Sequence, residues 1–575
     1  MAHRVADLIT DILHAAGVRR IYGVVGDSLN GLTDSLRVKK TIDWIHVRHE
    51  ETAAFAAGAE AALTGSLAVC AGSCGPGNLH LINGLYDCHR TRVPVLAIAA
   101  QIPSAEIGRN YFQETKPEEL FRGCSDFCEL VSHPSQLPGV LEAAIRSAVG
   151  RRGVSVIVIP GDVALAEIEA SFSAPAALTP QAPVAVPPAG QLDALADLLN
   201  TGERVTLFCG RGCQGAHAPL IRLAETLRAP IVHALGGKEH VEWDNPHDVG
   251  LTGMLGFASG YHAMMSCDTL LMLGTDFPYR QFYPKHAKIA QLDLRPENLG
   301  HRTPLDLALV GDVGATIEAL MPRLKPKVDA SHLDDCLRRY KTAREGLDEL
   351  ANGEAGDRII HPQFLTRLLS EHASEDAVFT FDVGTPTVWA ARYVKVNGKR
   401  RLIGSLSHGS MANAMPHAIG AQAAFPDRQV ISLSGDGGFT MLMGDFLTLN
   451  QHKLPVKVVV YNNGSLGFVA LEMKGAGFLE VGTNLVNPDF AAMARATGVH
   501  AIRVEDPGEL EAAVKDILDH PGPALLDVVV AKQELALPPT ITPEQVKGFG
   551  VWAMQAVMNG RGDALIDLAR TNLFR

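Results

Sequence analysis

Short apolar runs separated by amphipathic stretches recur along most of the chain. The first block carries SLAVCAG, VPVLAIAA and VSVIVIPGD. A second, over 192–324, carries RVTLFCG, APIVHAL, TLLMLGTD and KIAQLDL. A third, over 361–530, carries DAVFTFD, QVISLSGDG, VKVVVYNN and ALLDVVVA. Strand-like runs alternating with helical periodicity predict parallel sheets with helices on both faces. The expected fold class is therefore α/β, with three doubly wound parallel-sheet domains over 1–175, 190–330 and 345–530. The first and third blocks could be distant relatives in fold. The opening MAHRVADLITDILHAAGV has the pattern of an amphipathic helix, and a charged helical stretch over 331–350 crosses to the third block. A Pro- and Ala-rich stretch over 174–190 is expected to be a linker. Residues 531–575 leave the alternating pattern and are expected to form an amphipathic helical tail.

The 575 residues suffice for several cores. A net charge of −12 argues against a global attraction to nucleic acid. Nine cysteines, odd in number and without a CxxC pair, fit reduced thiols in a cytoplasmic protein rather than a disulfide framework. The N-terminus lacks the features of a signal peptide, and no apolar run is long enough to span a bilayer. Any membrane contact is thus expected to be peripheral.

The strongest chemical motif is Gly435-Asp436-Gly437-Gly438, which follows the run QVISLS, with Asn462-Asn463 ending VKVVVYNN. Asp436 and Asn463 are 27 positions apart, room for one helix and a return strand. That spacing puts both at carboxyl ends of parallel strands, where open α/β sheets bind ligands. Carboxylate and amide oxygens are hard donors suited to Mg²⁺, and the glycines let backbone N–H groups approach phosphates. In the first block, His49-Glu50-Glu51 precedes the alanine-rich TAAFAAGAEAAL. Alanines on nearly every side allow tight packing against a ligand or another domain. A Glu at the head of such a helix is poorly solvated, which favours its protonated form; the alternative is a helix-start carboxylate interacting with the helix dipole.

GDG followed at this distance by NN resembles the signature of the thiamine-diphosphate-dependent enzymes. The resemblance implies that Asp436, Asn463 and the backbone carbonyl of Ser465 hold Mg²⁺, with Gly437, Gly438, Leu466 and Gly467 around the diphosphate. It implies that Glu50 hydrogen-bonds the thiamine pyrimidine and that Met411, within Gly409-Ser410-Met411, wedges the cofactor into a bent form. The Gly409 carbonyl would meet the aminopyrimidine, and Asp382 and Gly384 would face the diphosphate. Gly75-Pro76-Gly77-Asn78 resembles the family's loop near the substrate. It further implies that the two halves of each site come from different subunits, with a homotetramer expected.

Within that family, GDSLNGL, RHEETAAFAAGAEA, CAGSCGPGNLHLINGLYDCHR, YFQET, GKEHVE, GTDFPYR, DVGTPTVWAARY and GDGGFTMLMGDF resemble the bacterial quinone-dependent pyruvate oxidases. This implies oxidative decarboxylation of pyruvate to acetate and CO₂ through hydroxyethyl-thiamine diphosphate, with electrons passing through FAD to ubiquinone. FAD would lie against Gly210 and Gly212, whose GxGxxG pattern alone is weak. Thr252, Gly253, Met254 and Leu255 would line it, as would Gly274, Thr275, Asp276, Phe277, Pro278 and Asp293. Phe468 would stand between thiamine and flavin, or serve as a core Phe. Gln113, beside Phe112, and Glu472 would handle protons near the reacting carbon; His80 and His89 are weaker candidates. The alternatives are an acetolactate synthase-like carboligase with non-redox FAD and a pyruvate oxidase using O₂ and phosphate. The stretch Val469-Ala470-Leu471-Glu472-Met473 lacks the Trp that carboligases typically carry there.

In the tail, Thr542-Pro543-Glu544-Gln545 reads as a helix start with Thr542 as N-cap and Pro543 at its first position. Val546, Phe549, Trp552, Ala553, Ala556 and Val557 recur at helical spacing, Asn559-Gly560 can stop the helix, and a second amphipathic stretch runs over 563–574. Arg561, Arg570 and Arg575 are available for lipid headgroups. The tail either packs on its own catalytic domain or contacts membrane lipid, which the resemblance supports, on the cytoplasmic face of the inner membrane.

Overall fold

A computed structural model describes residues 3–168, 178–353, 359–535, 543–559 and 561–573. It contains three six-stranded sheets, each wholly parallel. All eleven apolar runs named above became strands. In the third sheet Val378–Phe381, Val430–Gly435, Lys457–Asn462 and Ala524–Val529 occupy the four central places, flanked by the edge strands Arg401–Gly404 and His500–Val504. The other two sheets are built alike. In each, successive crossovers run one way from a central strand and then the other way from its neighbour. This leaves a crevice beyond the carboxyl ends of that pair, the place where such sheets bind ligands.

These three crevices organise the molecule. In the third sheet the pair Val378–Phe381 and Val430–Gly435 delivers Asp382 and Asp436. In the middle sheet Val205–Cys209 and Thr269–Leu273 deliver Gly210 and Gly274. In the first, Arg20–Gly23 and Ala68–Gly72 lead to the loop before Gly75. The chain from Asp436 to Asn463 holds two short helices, Asp436–Met441 and Phe446–Gln451, rather than the one expected.

The alanine-rich helix Glu50–Thr64 joins the first and third domains. Residues from Thr52 to Ala61 are all buried, because small side chains let two other helices approach its backbone. One is Pro76–Thr91, where a Cβ on Gly84 would lie 2.6 Å from the Ala54 Cβ. The other is Ala414–Ala424, where a Cβ on Gly420 would overlap the carbonyl oxygen of Ala56. One apolar core runs through this contact from Val95 of the first sheet to Val458 of the third. Gly420→Val should therefore push the two domains apart and destabilise the protein by about 1–3 kcal/mol, the usual cost of overpacking. An unchanged denaturation midpoint would contradict this account of the junction.

The Pro/Ala-rich stretch is without helix or strand over 178–188, and a helix begins at Ala189; residues 174–177 lie outside the described region. The tail forms two helices, Pro543–Met558 and Gly562–Leu573, folded back on the third domain. A Cβ on Gly548 would overlap the Gly475 carbonyl oxygen, so the first tail helix crosses directly on the backbone of the helix Gly467–Gly475. Trp552 is fully buried there, its indole nitrogen 3.3 Å from Glu480 Oε2 and its ring 5.2 Å from Lys474 Nζ. Phe549, Ala553 and Ala556 share this buried side. Val546 and Val557 do not: they are 62% and 59% exposed, on an outer face with Met554 at 66%. The helical spacing joined two faces of one helix, since the docked strip is narrower than the apolar one. Thr542, Gly560, Phe574 and Arg575 lie outside the described residues, as does the Arg570 side chain. No helix among the described residues is long and apolar enough to cross a membrane.

Candidate active site

The crevices of the middle and third sheets open into one cavity of about 1600 Å³. On the third-domain side it is lined by Asp382, Gly384, Gly409, Met411, Asp436, Gly437, Gly438, Asn463, Ser465, Leu466 and Gly467. Asp436 is 2% exposed. Its Oδ1 accepts from Gly437 N at 2.8 Å, and its Oδ2 from Gly464 N and Asn487 Nδ2, both at 2.7 Å. Burial pushes its carboxyl above the usual range, against the effect of these donors. A divalent cation would relieve that cost. Among the described residues Asn463 Oδ1 accepts from Ser465 N alone, at 3.0 Å, and the Ser465 carbonyl from Gly467 N at 2.8 Å. Each of these oxygens keeps a lone pair, so the three groups fit the oxygen donor set of a hard cation.

The walls suit a diphosphate. The helices Thr385–Tyr393 and Gly467–Gly475 both begin at the cavity, and first-turn N–H groups, which have no carbonyl partner within their own helix, favour an anion there. Asp382 is 2% exposed and accepts from Ala414 N at 2.9 Å, which ties the Gly409-Ser410-Met411 loop to the strand end. A Cβ on Gly438 would overlap Asp382 Oδ2, so the turn closes only with glycine there. Burial pushes the Asp382 carboxyl up to about 7. The folded apoprotein thus keeps a proton that the unfolded chain gives up near pH ~4. The stability tied to this proton is complete below about pH 4 and is lost as pH rises toward about 7. Asp382→Asn should flatten that decline, as read from denaturant midpoints of the apoprotein across this range. An equal decline in both proteins would assign the pH dependence to other groups.

On the middle-domain side Gly210, Gly212, Gly274 and Asp293 line the same space, with Thr252, Gly253, Met254, Leu255, Thr275, Asp276, Phe277 and Pro278. Gly274 has φ +55°, and a Cβ on it would lie 2.5 Å from Gly212 Cα, so the two strand ends pass in backbone contact. The Thr252 hydroxyl is buried and has no hydrogen-bond partner among the described residues. Asp293 is buried, and this desolvation raises its pKa. An orphaned hydroxyl, a carboxyl at a strand end and a glycine crossing fit a dinucleotide such as FAD. Phe468 and Glu472 also line the cavity, on the helix against which the tail docks.

Glu50 does not line this cavity. It is 7% exposed at the start of its helix, with Oε2 at 2.8 Å from His80 Nδ1. The His49 and His80 rings stack at 4.3 Å. A Cβ on Gly77 would lie 3.0 Å from Glu50 Oε1, which brings the Gly75-Pro76-Gly77 loop against the carboxyl. Gln113 belongs to this group too, its Oε1 accepting from Cys74 Sγ at 3.3 Å, while Phe112 is 78% exposed. His89 instead lines the large cavity. One chain therefore gathers the third- and middle-domain residues in one place and the Glu50 group in another.

Three stretches of the chain match descriptions of thiamine pyrophosphate enzymes: the N-terminal TPP-binding domain over 3–120, the central domain over 192–320 and the C-terminal TPP-binding domain over 382–528. The chain belongs to the thiamine pyrophosphate enzyme family. It is 37% identical to the putative thiamine pyrophosphate-containing protein YdaP of Bacillus subtilis, over 96% of each chain. It is 31% identical to the pyruvate oxidase of Lactiplantibacillus plantarum, over 91% of this chain and 88% of that one. Identity to a probable acetolactate synthase large subunit of Methanocaldococcus jannaschii is also 31%, over 93% of each.

Two functional contacts of this thiamine pyrophosphate enzyme were not visible in its sequence. Asn83 donates to Glu51 Oε1 at 2.7 Å and to Ser410 Oγ at 2.9 Å, and its Oδ1 meets His408 Nε2 at 2.8 Å. It thereby links the helix of Glu50 to the loop of Met411. Asn487, the donor to Asp436, precedes Pro488 and Asp489, and Asp489 caps the helix Phe490–Ala496. The segment reads as a helix start, which conceals Asn487.

Proposed function

We propose that this protein oxidatively decarboxylates pyruvate to acetate and CO₂ and passes the electrons through FAD to ubiquinone at a membrane. The observation that carries this reading is the single cavity joining the Asp436 side to the Gly210–Gly274 side, with Phe468 among its lining residues. A shared chamber lets electrons released on one side reach an acceptor on the other. Similarity to a pyruvate oxidase supports the substrate class.

In this reading Asp436, Asn463 and the Ser465 carbonyl hold Mg²⁺, and the N-termini at Gly384 and Leu466 orient the diphosphate. When bound, thiamine diphosphate supplies a carbon nucleophile and electron sink, and FAD a two-electron acceptor. Met411, on the cavity lining, would hold the bound cofactor in a bent form. Glu50 holds a proton at its carboxyl oxygen, oriented by His80. Gln113 and Glu472 bind the keto acid and move protons at its oxygens, and Phe468 keeps water from the space between the two sides. The separation of Glu50 from the cavity within one chain supports sites completed by a second copy, in a homotetramer.

The outer face of Val546, Met554 and Val557 supports contact with lipid on the cytoplasmic side of the membrane. Deleting the residues after Gln533 should abolish co-sedimentation with liposomes and lower turnover with membrane-embedded quinone. Unchanged values in both assays would exclude the lipid role.

The activity is tested anaerobically with thiamine diphosphate, Mg²⁺ and pyruvate. Flavin bleaching reversed by a short-chain quinone, with acetate formed, is the expected result. Unbleached flavin with accumulating acetolactate would favour the carboligase reading, which the similarity to an acetolactate synthase keeps in view.

A further inference from the structure

The two oxygens of Asp436 are not equivalent. Oδ2 accepts two hydrogen bonds, from Gly464 N and Asn487 Nδ2, whereas Oδ1 accepts one, from Gly437 N. A carboxylate oxygen offers two lone pairs in its plane. Oδ2 is therefore filled by protein donors, and Oδ1, the less engaged oxygen, is the one left to face a cation.

Asn487 owes its orientation to a chain of hydrogen bonds behind it. Its amide also donates to Asn462 Oδ1 at 2.9 Å, and the Asn462 amide donates to Asp527 Oδ1 at 2.9 Å. Asp527 is fully buried, and its other oxygen accepts from Arg503 Nη1 at 2.6 Å and Phe490 N at 3.2 Å. A carboxylate stands at each end of the two asparagines. Asp527 accepts only, so the Asn462 NH₂ must face it. The Asn462 carbonyl then faces Asn487, and the Asn487 NH₂ can only point at Asn462 and Asp436. The direction of every donor is set by charge.

We propose that Asn487 is a positioning residue that restricts Asp436 to one-oxygen coordination of the metal and so biases the site toward Mg²⁺ over Ca²⁺. Mg²⁺ requires a near-regular octahedron of six short bonds, which a one-oxygen carboxylate leaves open to the amide, carbonyl and diphosphate oxygens. Ca²⁺ tolerates two-oxygen carboxylates and higher coordination numbers. Losing the Asn487 donor frees a lone pair on Oδ2 and gives Ca²⁺ a second oxygen that Mg²⁺ cannot use. The inference rests on the metal-diphosphate reading of the site.

The test is calorimetric titration of the full-length apoprotein, with thiamine diphosphate present, by Mg²⁺ and separately by Ca²⁺. In Asn487→Ala and Asn487→Ser the ratio of the Ca²⁺ to the Mg²⁺ dissociation constant should fall about tenfold or more, the scale of an outer-shell effect on a metal site. A purely structural role would weaken both metals in step and leave the ratio unchanged, which overturns the proposal, as does wild-type behaviour in both variants. If one variant fails to fold, the ratio in the other decides. Failure of the wild-type protein to take up either metal would instead overturn the metal-diphosphate reading itself.

Discussion

Replacing Glu50 with Gln should lower turnover about 10²- to 10⁴-fold, the usual weight of a positioned acid or base. Glutamine keeps the size of the side chain and can accept from His80, but it cannot hold or release the proton. The carboxyl is 7% exposed between His80 and the Gly77 turn, so no solvent group is placed to substitute for it. None of its contacts touches Asp436, Asn463 or Ser465. Uptake of Mg²⁺ and thiamine diphosphate, followed by calorimetry, should consequently stay near the wild-type value. Turnover within tenfold of wild type would remove Glu50 from the chemistry. Loss of cofactor binding with the activity would reduce it to a structural residue.

Asp436→Asn should have the opposite signature, lowering apparent Mg²⁺ affinity by more than about 100-fold, beyond the effect of losing an outer-shell partner. Asparagine fits the space but carries no charge. Its NH₂ would also have to point at Gly464 N and Asn487 Nδ2, or at Gly437 N, all of which are donors. A buried polar group facing donors costs about 1–3 kcal/mol in addition. Activity should then return only at high Mg²⁺ concentration, and gel filtration should strip the variant of thiamine diphosphate. Retention of the cofactor at wild-type strength would place the metal elsewhere.

Within the six-stranded sheets, the strands left unread by the apolar pattern share one property with a single exception. They are Arg20–Gly23, Asp43–His46, Phe127–Leu130, Asp248–Leu251, Leu307–Val310, Arg401–Gly404 and His500–Val504, and all but the first lie at sheet edges. An edge strand is covered less completely, so its residues need not form a continuous apolar run. Phe127–Leu130 and Leu307–Val310 each keep exposed or half-exposed positions. The central strands other than Arg20–Gly23 are predominantly apolar, being buried on both faces, and were legible for that reason. The same physics separates the site residues. Asp436 and Asn463 follow central strands at a telling distance. Asn83 and Asn487 act through side-chain geometry across long separations, which neither periodicity nor spacing encodes. The tail helix was legible as apolar, but its burial depended on Gly548 meeting Gly475, and so the spacing alone did not separate Val546 and Val557 from the buried residues.

The separation of the Glu50 group from the Asp436 cavity also has a genetic meaning. Where two copies exchange halves, each site takes Glu50 from one chain and Asp436 from the other. A chain carrying Glu50→Gln and a chain carrying Asp436→Asn are each defective at every site they form alone. Paired with each other, they concentrate both lesions in one site and leave the second with neither. Two inactive alleles expressed together would then restore growth that depends on this enzyme, a complementation that sites confined to single chains could never yield.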